Sequence, residues 1–129
     1  MPPESVHVLD GATVDMLIRH WRDGWNDANL DTIMAPFARD VVFSSPGISM
    51  LTGDPTKTTI RGYDALRNYI ESALRRTSGI TYTLHANYVG TDSIVLVYTC
   101  DLPGGTQRWG ADMMRVAGNR TVVEWRCHY

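Results

Sequence analysis

The sequence of 129 residues lacks the features that mark several large classes of protein. Its two cysteines, Cys100 and Cys127, have neither the number nor the spacing of a disulfide framework or a metal site. The longest apolar run, 94–98, is far shorter than the roughly 20 residues of a membrane span, so we expect no membrane interaction. A net charge of −2 offers no basic surface, so we expect no nucleic-acid binding.

The first ten residues contain no apolar stretch of the kind found in secretory signals, so we expect a reduced, cytoplasmic protein. The length fits one domain spanning residues 1–129, with 1–9 as a loose lead-in. Phenylalanine is scarce, with two residues against four tryptophans and six tyrosines. Large rings that carry a polar group suit a wet pocket or an interface better than a dry core.

Hydrophobic periodicity predicts helices in the first part of the chain and strands in the last part. Apolar residues at helical spacing predict a helix over 13–27, capped by Asp10 or Thr13, and a short one over 30–37, capped by Asn29. A short strand follows at 41–43, then a flexible loop or lid at 46–59 with a strand near 59–61. A third helix follows Gly62 and ends at Gly79.

Four strands at 80–89, 93–101, 107–116 and 121–128 complete the chain. The tight turns between them predict an antiparallel meander, and helices before strands indicate an α+β domain. Three segments then carry a family resemblance: 21–30 (WRDGWNDANL), 37–43 (FARDVVF) and 60–66 (IRGYDAL). Together with the closing strands they resemble the nuclear transport factor 2-like (cystatin-like) superfamily. Within it the chain looks like the SnoaL-like branch, which includes polyketide cyclases and is related to the ketosteroid isomerases.

The resemblance implies a cone-shaped, curved antiparallel sheet that wraps around a long N-terminal helix and encloses a pocket. It implies no single reaction, because this fold supports unrelated chemistries. The branch is therefore consistent with an enzyme, with a non-catalytic ligand-binding or dimerisation module, and less well with a protein-transport or assembly module.

Asp112 is the candidate catalytic residue, because strand alternation places it on the same face as Met114 and Val116. A carboxyl group on that apolar face is desolvated, which raises its pKa and suits it to proton transfer. The segment 112–116 also resembles the ketosteroid isomerase strand that begins with a neutral, hydrogen-bond-donating Asp. The alternative is that Asp112 forms a structural ion pair with Arg39, Arg108 or Arg126, or that it faces solvent.

Two other groups of the isomerase mechanism are absent at the positions that the resemblance implies. Ser45 stands where its general base would be, and Trp21 stands where its oxyanion-binding Tyr would be. Ser has no useful basicity at neutral pH and Trp can donate only one indole N–H, so two of the three catalytic groups are missing. We therefore do not expect steroid isomerisation by that mechanism.

Alternation on the last strand places Val123, Trp125, Cys127 and Tyr129 on the inner face, and Glu124, Arg126 and His128 on the outer face. We expect a pocket that binds a small aromatic or polycyclic carbonyl compound, without cofactor or metal, through residues Trp21, Trp25, Phe43, Ser45, Tyr69, Tyr98, Met114, Trp125, Cys127 and Tyr129. The expected reaction is an isomerisation, cyclisation or dehydration with Asp112 as general acid/base. The resemblance also implies a homodimer formed through the outer sheet face.

Overall fold

The computed structural model describes residues 8–129, so residues 1–7 of the expected lead-in lie outside the described residues. The elements in chain order are α1 (Gly11–Asn26), α2 (Leu30–Met34), β1 (Phe37–Ser44), α3 (Pro46–Thr52), β2 (Thr59–Arg61), α4 (Tyr63–Arg76), β3 (Thr81–Val89), β4 (Ser93–Asp101), β5 (Gln107–Val116) and β6 (Val122–His128). No helix within 8–129 is long and apolar enough to cross a membrane.

The six strands form one curved sheet in the order β2-β1-β6-β5-β4-β3. Strands β3 to β6 make the expected antiparallel meander, and their ends agree with the predicted ends to within one residue. Strand β1 pairs in parallel with β6, which joins the first strand of the chain to the last. The mixed α+β architecture confirms the fold predicted from the sequence.

Helix α1 crosses the inner face of the sheet and begins at a cap that the sequence predicted. The Asp10 carboxylate accepts a hydrogen bond of 2.8 Å from the backbone N–H of Thr13. Its buried side includes Leu17, Trp21 and Gly24. A Cβ at Gly24 would lie 2.7 Å from Ile33 Cγ1, so this glycine permits the close approach of α2.

Two local predictions were wrong. The segment 46–59 is not a loop throughout, because it contains α3, whose start is capped by Ser45 and carries Pro46 in its first turn. The second helix ends at Met34, and β1 begins at Phe37 instead of residue 41. Pairing with β6 explains the longer strand, since the Val122 N–H donates to the Pro36 carbonyl at 2.7 Å.

Alternation along β4 and β5 separates an inner face from an outer face. Leu96, Tyr98, Asp112 and Met114 are buried on the inner face, beneath the helices. The neighbouring outer positions, such as Met113, are only half-buried. The inner face therefore supplies one wall of the interior space described next.

Candidate functional site

A cavity of about 380 Å³ lies between the inner face of the sheet and helices α1, α3 and α4. This volume is in the range of small-molecule binding sites. The structure brings together nine of the eleven predicted site residues along its walls: Trp21, Trp25, Phe43, Tyr69, Tyr98, Asp112, Trp125, Cys127 and Tyr129. Most of the remaining lining is apolar.

Asp112 lies in the wall of the cavity and is only 2% exposed. Its Oδ2 atom accepts a hydrogen bond of 3.0 Å from Trp21 Nε1, and its Oδ1 atom accepts one of 2.8 Å from the Tyr98 hydroxyl. Among residues 8–129, no arginine, lysine or histidine forms an ion pair with it. The ion-pair alternative considered from the sequence therefore has no support in this geometry.

Burial raises the pKa of Asp112 above its ordinary value, since desolvation outweighs the hydrogen bonds that favour the charged form. The Trp21 indole can only donate, so Oδ2 must act as an acceptor in either protonation state. In the neutral form the carboxyl proton therefore belongs on Oδ1, next to the Tyr98 hydroxyl. The pair Asp112–Tyr98 can hold and move one proton at the cavity wall.

Gly110 makes the Tyr98 position possible. It lies opposite Tyr98 across the β4–β5 ladder, and a Cβ built on it would be 2.7 Å from Tyr98 Cζ and 2.8 Å from the hydroxyl oxygen. The ring of Tyr98 therefore lies flat over a strand position that has no side chain. Burial and the nearby Asp112 raise the pKa of Tyr98, so this hydroxyl remains protonated and can donate.

Two residues predicted to bind ligand do not line this cavity. Met114 shares the inner face with Asp112 but packs into the core beside Leu17 and Phe37. Its side chain lies one inner-face position further along β5, past the end of the cavity. Ser45 is buried and its hydroxyl accepts a 3.0 Å hydrogen bond from the Gly47 N–H, so it serves as the cap of α3.

Seven aromatic rings make a continuous surface around the carboxyl group. The Trp21 ring is 4.8 Å from the Tyr98 ring, and the Trp125 ring is 4.4 Å from Phe43 and 6.1 Å from Trp25. Tyr82 and Tyr69 extend this surface. Tyr129 differs because it is 67% exposed and lies at the edge of the cavity.

Sequence reasoning missed Tyr82 and Arg108, which also line the cavity. The signal was present in both cases. Tyr82 shares a face of β3 with the inward Leu84, and Arg108 shares a face of β5 with Asp112. Burial raises the pKa of Tyr82, so its hydroxyl is another neutral donor.

The two cysteines are poor nucleophiles in this environment. Burial raises the pKa of Cys100 to about 11, and burial together with Asp112 raises the pKa of Cys127 well above its ordinary value. The thiolate is the reactive form, so neither thiol is activated. Within 8–129 the structure has no cluster of three His, Cys, Asp or Glu side chains that could hold a metal.

Trp125 carries a polar group that the protein does not satisfy. The residue is 2% exposed, and its Nε1 atom has no hydrogen-bond partner among the described residues. The indole lies near Asp112 and favours the charged form of that carboxyl group, although the contact lacks the geometry of a hydrogen bond.

The outer face of the sheet is chemically different. Glu124 forms ion pairs with Arg115 at 3.2 Å and with Arg126 at 2.7 Å. His85 also lies on this face, where its Nε2 is 2.7 Å from the Thr99 hydroxyl and its ring is 4.8 Å from exposed Trp109.

Comparison with known proteins supports the family expected from the sequence. The SnoaL-like domain family matches residues 18–125, and no curated protein matches the chain. A SnoaL-like protein of unknown function from Burkholderia thailandensis is 28% identical, with a TM-score of 0.81, and the match covers 95% of this chain and 98% of that one.

Two similar structures contain small molecules. RV0760c from Mycobacterium tuberculosis, in complex with estradiol-17beta-hemisuccinate, is 18% identical with a TM-score of 0.71, and 93% of this chain and 95% of that one are covered. TerC, co-crystallised with polyporic acid, is 12% identical with a TM-score of 0.72, and 91% and 90% are covered. At these identities the likeness shows the fold alone. The fold of this chain is that of structures described as nuclear transport factor 2-like, and the chain belongs to the SnoaL-like domain family.

Proposed function

We propose that this protein binds a small aromatic or polycyclic carbonyl compound in its interior cavity and transfers protons on it through Asp112. The observation that carries the proposal is a fully buried carboxyl group without a cationic partner, in the wall of an aromatic cavity of about 380 Å³. Raised pKa values of this kind are typical of groups that exchange protons with a substrate.

The proposed chemistry needs one acid and no cofactor. Neutral Asp112 transfers its proton to the carbonyl oxygen, and the resulting carboxylate then removes a proton from the neighbouring carbon, which forms the enol and restores neutral Asp112. Isomerisation, cyclisation and dehydration of carbonyl compounds all contain such a step. The Tyr98 hydroxyl and the Trp21 indole orient the carboxyl group between steps.

The second candidate is a ligand-binding module without catalysis. The cavity lining contains no histidine and no carboxyl group besides Asp112, so a separate general base is missing. An acid alone can anchor a ligand by hydrogen bonding, which requires no turnover.

Solution experiments distinguish the two candidates. A thermal-shift screen with aromatic ketones and polyketide-like diketones identifies ligands, and NMR in deuterated water then follows exchange of the protons next to the carbonyl group. We expect Asp112→Asn to retain the fold and to lose roughly 100-fold or more of the exchange rate. Asp40→Asn is the matched control, because Asp40 is exposed and lies outside the cavity. Exchange at the wild-type rate in Asp112→Asn would remove the catalytic proposal, and binding without exchange by the wild type would favour the binding module.

We also propose that the outer face of the sheet forms the interface of a homodimer. It carries Trp109, which is 60% exposed, and further along strands β4 and β5 it carries half-buried Val97 and Met113, with Glu124, Arg126 and His128 on the neighbouring strand β6. An apolar centre next to charged side chains is the composition of many homodimer interfaces. The mass of the protein in solution tests whether it forms this homodimer.

A further inference from the structure

Arg108 is the one cationic side chain that lines the cavity within residues 8–129. It lies near the start of β5, where it shares the inner face of the strand with Gly110 and Asp112. Its side chain is exposed to solvent, and it forms no ion pair with any carboxylate in the described part of the chain. Arg108 therefore offers a ligand a positive charge that no protein group neutralises.

The neighbours of Arg108 show that its guanidinium group is next to the cavity. Cys100 lies opposite Arg108 across the β4–β5 ladder, and both residues line the cavity together with Leu102. The charge of Arg108 acts to lower the pKa of the Cys100 thiol, although burial raises that pKa overall, so the two groups are close. We call this solvent-exposed end of the cavity, formed by Arg108, Cys100 and Leu102, the entrance.

The inner face of β5 leads from the entrance to the carboxyl group. Burial increases along it from exposed Arg108 to Asp112, which is 2% exposed and marks the closed end. Four residues separate the two positions, which is about 13 Å along an extended strand. Gly110 lies between them and leaves room for the Tyr98 ring, so the surface between the two polar groups is aromatic.

We propose that Arg108 binds an anionic group of the ligand at the entrance, while the carbonyl group of the same molecule lies against Asp112. The inference rests on the proposed function and deepens it, because it names the substrate class as an aromatic keto acid. The ligand carries its negative charge at one end, its ketone at the other and an aromatic body between them. Its span is shorter than the distance between the two strand positions, because the arginine side chain is long.

Charge favours this orientation over the reverse one. A ligand carboxylate at the closed end would meet the Asp112 carboxyl group among apolar walls, and the described residues place no buried cation there. A cationic ligand group at the entrance would be repelled by Arg108. A guanidinium group can bind a carboxylate through two parallel hydrogen bonds, which fixes the direction of the ligand as well as its charge.

The experiment compares para-acetylhydrocinnamic acid with its primary amide, because the two compounds have nearly the same shape and differ in charge. NMR titration at neutral pH measures both affinities. We expect the wild type to bind the acid about three- to tenfold more tightly than the amide. Arg108→Gln should reduce this preference to less than about twofold, mainly by weakening binding of the acid, because the anion loses its partner. Arg108→Lys keeps the charge without the planar group and should retain part of the preference.

Arg76→Gln is the matched control, because Arg76 is an exposed arginine at the end of α4 that does not line the cavity. This variant should keep the wild-type preference for the acid. A second readout gives the orientation of the ligand. We expect nuclear Overhauser effects from the acetyl methyl group to the indole of Trp21, which donates to Asp112, and none from that methyl group to Arg108.

The outcomes separate this inference from the proposed function. Equal affinities of the wild type for acid and amide, an unchanged preference in Arg108→Gln, or an equal loss in Arg76→Gln would overturn the role of Arg108 and leave the binding of carbonyl compounds intact. Contacts between the acetyl group and Arg108 would overturn the orientation. Failure of both compounds to bind the wild type would overturn the ligand class and this inference with it. A wild-type exchange rate in Asp112→Asn would remove catalysis and leave the Arg108 result unaffected.

Discussion

Asp112 and Glu124 are carboxyl groups on neighbouring strands, and they show how much the two faces of one sheet differ. Asp112 points into the interior, makes hydrogen bonds with Trp21 and Tyr98, and has a raised pKa because it is desolvated. Glu124 points outwards, pairs with Arg115 and Arg126, and has a lowered pKa because those partners favour its charge.

The difference teaches which carboxyl group is available for chemistry. A carboxylate held by two arginines is charged and committed to its partners, so it has no proton to give near neutral pH. A buried carboxyl group that only accepts hydrogen bonds can change its charge when a ligand arrives. The alternation of side chains along each strand is enough to place Asp112 on the inner face and Glu124 on the outer face. Most of the partners that set each pKa come from other segments of the chain.

The largest predicted effect is the opposite pH dependence of stability at the two positions. The pKa of Asp112 is raised in the folded protein. The stability that the neutral carboxyl group contributes is therefore fully present below its ordinary pKa, at about pH 4. As pH rises from there towards the folded-state pKa, the unfolded state ionises first and wild-type stability falls. We expect Asp112→Asn to gain free energy of unfolding relative to the wild type over this range, by at most about 1.4 kcal/mol per pH unit.

Denaturant unfolding at several pH values measures this slope. Glu124→Gln is the control with the opposite sign, because a lowered pKa adds stability above the ordinary pKa and loses it as pH falls through the folded-state value. A difference between wild type and Asp112→Asn that does not vary with pH would mean that folding leaves the pKa of Asp112 at its ordinary value.

The next effect concerns the glycine that shapes the inner site. In Gly110→Ala the new methyl group would lie 2.7 Å from Tyr98 Cζ, so the ring must move away from Asp112. We expect a loss of about 1–3 kcal/mol in the free energy of unfolding from overpacking. The pKa of Asp112 should rise further, since the Tyr98 hydrogen bond favours the charged form. NMR of the side-chain carboxyl carbon in labelled aspartate measures this change in the pKa of Asp112.

Gly118→Ala is the matched control, because nothing lies within 4 Å of a Cβ at that position. Its stability should remain within about 0.5 kcal/mol of the wild type. Equal effects at Gly110 and Gly118 would show that the Tyr98 ring is not confined by the strand.

Most of the fold was predictable because its signals are local. Strands β3 to β6 alternate and are separated by short turns, and Asp10 and Asn29 cap the helices as predicted. The helix α3 was missed because residues 46–52 have no apolar period, although Ser45 followed by Pro46 is a helix-start signal. The length of β1 could not be predicted, since parallel pairing with β6 joins distant parts of the chain.

The sequence predicted which side chains of the candidate site point inwards, but it did not predict how far the cavity extends. Alternation placed Asp112, Trp125 and Cys127 inside, and the structure has all three in the cavity wall. It could not show how far along β5 the cavity reaches, so Met114 was included wrongly. The lack of a partner for Trp125 Nε1 depends on the three-dimensional packing of several rings, which no local pattern contains.

The smallest effect is expected on the outer face. Glu124→Gln removes the charge that pairs with two half-exposed arginines, Arg115 and Arg126. We expect a loss below about 1 kcal/mol at neutral pH, because solvent screens exposed ion pairs. The loss should shrink further as salt is raised, whereas the effect of Asp112→Asn should not, since salt screens buried groups far less. Urea unfolding of both variants at low and high salt measures these two effects. A large, salt-independent loss in Glu124→Gln would mean that this face is shielded from water, as in a homodimer, and the contrast between the two faces would then hold only for the isolated chain.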